Sequence, residues 1–246
     1  MVVGALGQES PPAPPRDLGT IPPPGLRTPA GTLALPWSLP VSLAIPAIGV
    51  HAKVIGLGLG PGHALQVPPL TEAGVQEAGW YDLGPTPGQL GPAVIAGHLD
   101  SYRGPGVFFR LGALRPGDQI YVTRADGTVA IFRVDAVDEY SKDRFPTRQV
   151  YGPVGYAGLR VITCGGRFDT QTRHYLSNIV IYAMLAGSQP RRTDQARPGS
   201  GPRTRSRCAG GCPVSGRRAA VRGSPGGSAK DAPVLRARAL RLAFLT

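Results

Sequence analysis

Gln119-Ile120-Tyr121-Val122-Thr123-Arg124-Ala125-Asp126-Gly127-Thr128-Val129-Ala130-Ile131-Phe132-Arg133-Val134 decides the fold class of this 246-residue chain. Two runs rich in β-branched and aromatic residues flank an Asp-Gly pair. Asp-Gly favours the positive-φ turn that joins antiparallel strands, so the stretch predicts a β-hairpin. Leu114-Arg115-Pro116-Gly117-Asp118, just upstream, is a strong turn in its own right.

Working outward, further short strand signals appear between Gly, Pro and Asp turns. Val41-Ser42-Leu43-Ala44-Ile45 alternates with period two, and His51 to Leu57 follows after a short turn, which predicts a second hairpin. Ala93-Val94-Ile95-Ala96 is a short buried strand ending at Gly97-His98. Leu159 to Thr163 and Asn178 to Ala183 supply two more strands. Helical signal is sparse: Ala73 to Trp80 predicts one or two turns, and Val107 to Leu111 has apolar groups at helical-turn spacing. About eight short strands with one or two short helices predict an all-β fold, a small closed β-barrel.

Composition sets the boundaries. The chain holds 35 Gly and 27 Pro, densest in residues 1–37, where Pro11-Pro12-Ala13-Pro14-Pro15 and Pro22-Pro23-Pro24 favour extended polyproline II. That segment reads as a semi-rigid linker. Residues 38–189 form the expected core. Residues 190–246 carry 13 Lys+Arg against 2 Asp+Glu, whereas the rest of the chain carries 14 against 13. The core is nearly neutral, so nucleic acid is not an expected partner. The Arg/Gly/Pro/Ser-rich tail reads as disordered and solvated, able to meet anionic polymers by charge alone. A basic amphipathic helix over 234–245 is the weaker reading of its end, because Leu240 leaves the face of Leu235, Leu242 and Leu245. No apolar run is long enough to span a membrane.

Chemistry concentrates on two strand ends. Leu159-Arg160-Val161-Ile162-Thr163-Cys164-Gly165-Gly166 puts a thiol where the chain is expected to turn. His98, after its own strand, can move protons. Cys plus His at strand termini is the minimum set for thiol nucleophilic catalysis. Taken singly, each residue has a plainer reading: Cys164 as a small buried hydrophobe, His98 as a satisfied core histidine. Cys208 and Cys212 lack a second ligand pair for zinc, and can be a local disulfide or two thiols. The scattered acidic residues hold no calcium pattern, and no metal or cofactor is expected.

Several motifs in order resemble the sortases, most closely the actinobacterial class F or class E enzymes. They are Val94-Ile95-Ala96-Gly97-His98-Leu99-Asp100, Phe108-Phe109-Arg110-Leu111 with Leu114 to Asp118, and Ile162-Thr163-Cys164-Gly165-Gly166 with Phe168-Asp169, Tyr175 and Asn178-Ile179-Val180. The resemblance spans roughly residues 43–183. It implies a cysteine transpeptidase that cleaves a Leu-Pro-x-Thr-Gly-like sorting signal through a thioester and passes it to an amine, usually of a peptidoglycan precursor. It assigns Cys164 as nucleophile, His98 as acid and base, and an arginine to the oxyanion. Arg167 and Arg173 compete for that role, and family spacing favours Arg173. Thr163, Ala96, Gly97 and Arg167 are then expected near substrate. The family's Thr-Leu-x-Thr-Cys signature is altered, with Arg160-Val161 at its first two positions. The long basic tail also departs from the family, whose chains stop soon after the last strand. The resemblance further implies action at the outer face of the cell membrane, normally with an N-terminal membrane helix that this sequence does not contain. A thiol hydrolase on the same scaffold and a non-catalytic surface-binding module are the alternative functions.

Overall fold

A computed structural model describes residues 10–14, 21 and 31–191. The tail and the 234–245 stretch lie outside these residues. Ten strands account for nearly half of the described residues. They are β1 (Pro40–Ile45), β2 (Val50–Leu57), β3 (Ala78–Tyr81), β4 (Gly91–Ala96), β5 (Asp100–Ser101), β6 (Gly104–Pro105), β7 (Gln119–Arg124), β8 (Thr128–Ser141), β9 (Ala157–Asp169) and β10 (His174–Pro190). One short α-helix, α1 (Thr147–Tyr151), and a few 3-10 turns complete it. Eight strands close into a barrel in the order β1-β2-β3-β4-β9-β10-β8-β7, with β7 pairing back onto β1. Closure removes the free sheet edges that an open all-β fold would expose. β5 and β6 form a separate two-stranded ribbon.

The expected hairpins form. In β7–β8, Gly127 takes φ 82°, and Asp126 Oδ1 accepts from the Thr128 backbone N–H at 2.9 Å and from its hydroxyl at 2.6 Å. These bonds to its ionised form hold the Asp126 carboxyl below its ordinary range. β1 and β2 pair antiparallel through a 3-10 turn at Pro46–Ile48, ended by left-handed Gly49.

Two apolar clusters share the sheet. The barrel interior takes alternate residues such as Leu43, Ile45, Ile95, Ile120, Phe132, Val161 and Ile181. The outer face of β4, β9, β10 and β8 carries Val94, Ala96, Ile162, Val180, Tyr182 and Ala136, covered by Val150 of α1 and by Leu57 and Leu65. β4 is therefore buried on both faces, which is why Ala93-Val94-Ile95-Ala96 is a continuous apolar run. Arg160 belongs to the outer face and is 1% exposed. Its guanidinium lies 4.7 Å from the Tyr182 ring centroid and donates to the Tyr156 hydroxyl at 3.0 Å.

Two local expectations are corrected. Helix over Ala73 to Trp80 shrinks to a 3-10 turn at Gly74–Gln76, and Trp80 belongs to β3, parallel to β2. Close strand contact is what wins there: a Cβ on Gly79 would sit 1.9 Å from Leu57 Cδ1. The chain also does not turn after Cys164. β9 continues through Gly165 and Gly166 to Asp169, paired with β10. Gly166, at φ 72°, absorbs a register shift that puts an extra β9 residue against Tyr175–Ser177.

Candidate active site

Cys164 is half-buried on β9, opposite Asn178 of β10. Strand alternation turns its neighbour Thr163 the other way. Thr163 is fully buried, and its hydroxyl donates to the Gly97 carbonyl at 2.9 Å. The Gly97 N–H in turn donates to the Ile162 carbonyl at 3.1 Å. The segment that carries His98 is thus stitched to the strand that carries Cys164.

Gly97 is required by space. A Cβ there would come within 2.6 Å of the Phe108 ring and 2.7 Å of Val107. His98 follows directly. Its backbone carbonyl accepts from the Phe108 N–H at 2.9 Å, which fixes the start of the loop. Its Nε2 lies 2.7 Å from the Pro68 carbonyl. A carbonyl only accepts, so Nε2 carries the hydrogen and Nδ1 is left to exchange protons.

Cys164, His98 and Arg173 all line one cleft of about 930 Å³. The β5–β6 ribbon forms one wall, and Ser10 and Pro11 of the proline-rich segment also line it. Arg173 is exposed at the tip of the β9–β10 hairpin, in the left-handed region at φ 60°. Arg167 is exposed on β9, faces the charge of Asp169 and is not among the residues lining this cleft. Ala96 is buried at the end of β4 within the outer apolar cluster. Cys164, His98 and Arg173 therefore come together. Thr163, Ala96, Gly97 and Arg167 are not among the residues lining the cleft.

Four polar residues stand around Cys164: Asp100, Tyr175 and Asn178, which belong to the motifs quoted above, and Lys142, which no motif marks. Lys142 Nζ lies 3.8 Å from Cys164 Sγ. Asp100 Oδ2 accepts from the Tyr175 hydroxyl at 2.5 Å, and the Tyr175 ring packs edge-on to Phe168 at 5.1 Å. Asn178 is fully buried, and neither atom of its amide has a hydrogen-bond partner among the described residues. The signal for Lys142 in the sequence is weak, because only strand register brings a residue so distant in the chain to the thiol. Burial pushes the Cys164 thiol up, Lys142 pulls it down, and the negative charge of Asp100 pushes it up again. Burial and the bond to Asp100 also raise the Tyr175 phenol, so it stays a neutral donor.

This arrangement offers a thiol nucleophile, an imidazole with a fixed tautomer and cations around one open cleft. Among the described residues no helix is long and apolar enough to cross a membrane. The Sortase domain family matches residues 43–186. Among curated proteins no sequence matches. The chain is similar to solved sortases. Sortase A of Listeria monocytogenes is 18% identical with a TM-score of 0.46, over 63% of this chain and 91% of that one. The SrtA sortase of Actinomyces oris is 19% identical with a TM-score of 0.46, over 67% and 90%. A pilus-related sortase C of Group B Streptococcus is 15% identical with a TM-score of 0.45, over 63% and 70%.

Proposed function

The chain belongs to the sortase family of cysteine transpeptidases, and from that premise we propose that it cuts a Leu-Pro-x-Thr-Gly-like sorting signal and joins the Thr carbonyl to a cell-wall amine. The observation that carries this reading is the convergence of Cys164, His98 and Arg173 on one cleft.

In this reading the Cys164 thiolate attacks the Thr carbonyl carbon, and the C=O electron pair moves onto oxygen. Arg173 meets that oxyanion from the hairpin tip. The oxyanion collapses, the C–N bond to Gly breaks, and protonated His98 gives its proton to the departing amine. A thioester on Cys164 remains. An incoming amine loses its proton to His98 as it attacks the thioester, a new amide forms, and the Cys164 sulfur leaves. Splitting acyl transfer in two lets the enzyme choose amine over water at the second step. Thr163 and Gly97 support the peptide site from behind, through the bond that ties the His98 segment to β9. The motifs around His98, Leu114 to Asp118 and Cys164 favour a class F or class E enzyme of an actinobacterium, acting at the outer face of the cell membrane.

The test is product analysis of the full chain with a Leu-Pro-x-Thr-Gly peptide, with and without a primary amine. A new amide that appears only with amine and vanishes in Cys164→Ala supports the reading. Hydrolysis indifferent to amine would replace it with a thiol hydrolase.

A further inference from the structure

The cation that touches the thiol is neither Arg167 nor Arg173. It is Lys142, the first residue of the 3-10 turn Lys142–Arg144, immediately after β8 ends at Ser141. Register places it there. Ser141 pairs with Ser177 of β10, and the next residue of β10, Asn178, pairs with Cys164 of β9. The end of β8 is thus held one strand beyond the strand that neighbours the thiol, and the lysine reaches across. Its ammonium stands 3.8 Å from Sγ and is half-buried. Among the described residues Lys142 forms no ion pair with a carboxylate. Its own neighbour Asp143 is exposed.

Two charges act directly on Sγ, Lys142 and Asp100, while Arg103 and His174 line the same cleft farther along it. Asp100 on β5 opposes ionisation, and the Tyr175 hydroxyl on β10 is committed to Asp100. His98 spends Nε2 on the Pro68 carbonyl, and Arg173 is exposed at a hairpin tip. Asn178 beside the thiol is neutral. Lys142 is the group in contact that favours the charged sulfur.

We propose that Lys142 is a catalytic residue whose ammonium, in contact with Sγ, is the counter-ion that eases formation of the Cys164 thiolate against its burial. This rests on the reading of Cys164 as nucleophile. The thiol proton leaves to solvent, and the charge stays on Sγ beside Lys142, with no transfer to His98 needed. His98 is then free to serve as the acid for the leaving amine. When the thioester forms, Sγ loses its charge, and the ammonium stands next to the acyl group that replaces it.

The test uses the full chain and does not depend on knowing the peptide. The rate of iodoacetamide alkylation is followed across pH at the Cys164-containing fragment by mass spectrometry, which separates it from Cys208 and Cys212. In Lys142→Met the alkylation midpoint moves to higher pH, and the rate at neutral pH falls about tenfold, the effect of one pKa unit. Lys142→Arg keeps the charge and restores most of the rate. His98→Asn leaves the midpoint in place. An unchanged profile in folded Lys142→Met, or a midpoint that moves with His98 instead, overturns the proposal. Lys142→Gln carries the same comparison if the Met variant does not fold. Lys142-dependent alkylation without turnover of any sorting peptide would keep this inference and remove the sorting reaction.

Discussion

Removing the Thr163 hydroxyl while keeping its shape, as in Thr163→Val, isolates one of the bonds that tie the His98 segment to β9. The hydroxyl is fully buried and donates to the Gly97 carbonyl at 2.9 Å. Valine is nearly isosteric, so packing is preserved and the carbonyl loses that donor in a water-free site. A buried acceptor stripped of its partner costs roughly 1–3 kcal/mol, here taken as about 2 kcal/mol. For a fold of this size each kcal/mol lowers the melting temperature by about 2–4 °C, so the expected fall is about 4–8 °C. The loss has a functional side as well. Gly97 immediately precedes His98, so a loosened carbonyl lets the imidazole wander from the thiol, and kcat should fall more than KM changes. Thermal melting by circular dichroism, with peptide turnover on the same samples, measures both. Thr163→Ser is the control, because it keeps the donor and loses only a methyl group. If Thr163→Val melts with the wild type while Thr163→Ser melts below it, the methyl group holds this site and the hydrogen-bond argument is wrong.

Gly97→Ala forces a methyl group to within 2.6 Å of the Phe108 ring, and should lower stability by about 1–3 kcal/mol or more in denaturant titration. Phe132→Ala, at a fully buried position of the barrel interior, should cost about 3–5 kcal/mol by the same measurement. Asp100→Asn removes a negative charge that raises the Cys164 thiol, so its ionisation should move to lower pH and its alkylation at neutral pH should quicken. Asp126 is held below its ordinary range in the fold. The stability it contributes is therefore present above the ordinary carboxyl pKa and is lost as pH falls through the lowered value. Asp126→Ala should flatten the acid limb of the melting-temperature profile.

The barrel was legible where one physical signal ruled. Asp126-Gly127 between alternating runs marks the β7–β8 hairpin because Gly127 takes the positive φ that the tight loop requires. Strand lengths were less so. Asp135, Asp138 and Glu139 break the apolar pattern after Val134, yet β8 runs on to Ser141, because backbone pairing with β10 persists there. Lys142 lies just past that strand end, where the apolar pattern marks no strand. Gly165-Gly166 looked like a turn because glycine permits one, whereas pairing with β10 carries the strand to Asp169. Arg160 looked like an ordinary strand residue, and only the two-layered packing shows that it is buried against Tyr182 and Tyr156. Cys164 and His98 could be found locally, each beside a short apolar run. The Pro68 carbonyl that sets the His98 tautomer could not, since 30 residues, β3 and β4 among them, separate the two.

The most direct measurement is the intact mass of the full chain after brief exposure to a Leu-Pro-x-Thr-Gly peptide, followed by fragment mapping. The account predicts an added acyl mass located on Cys164, discharged by a primary amine to a new amide and absent from Cys164→Ala. A chain that never acquires that mass across a panel of sorting peptides, while Cys164 still reacts with iodoacetamide, would contradict it.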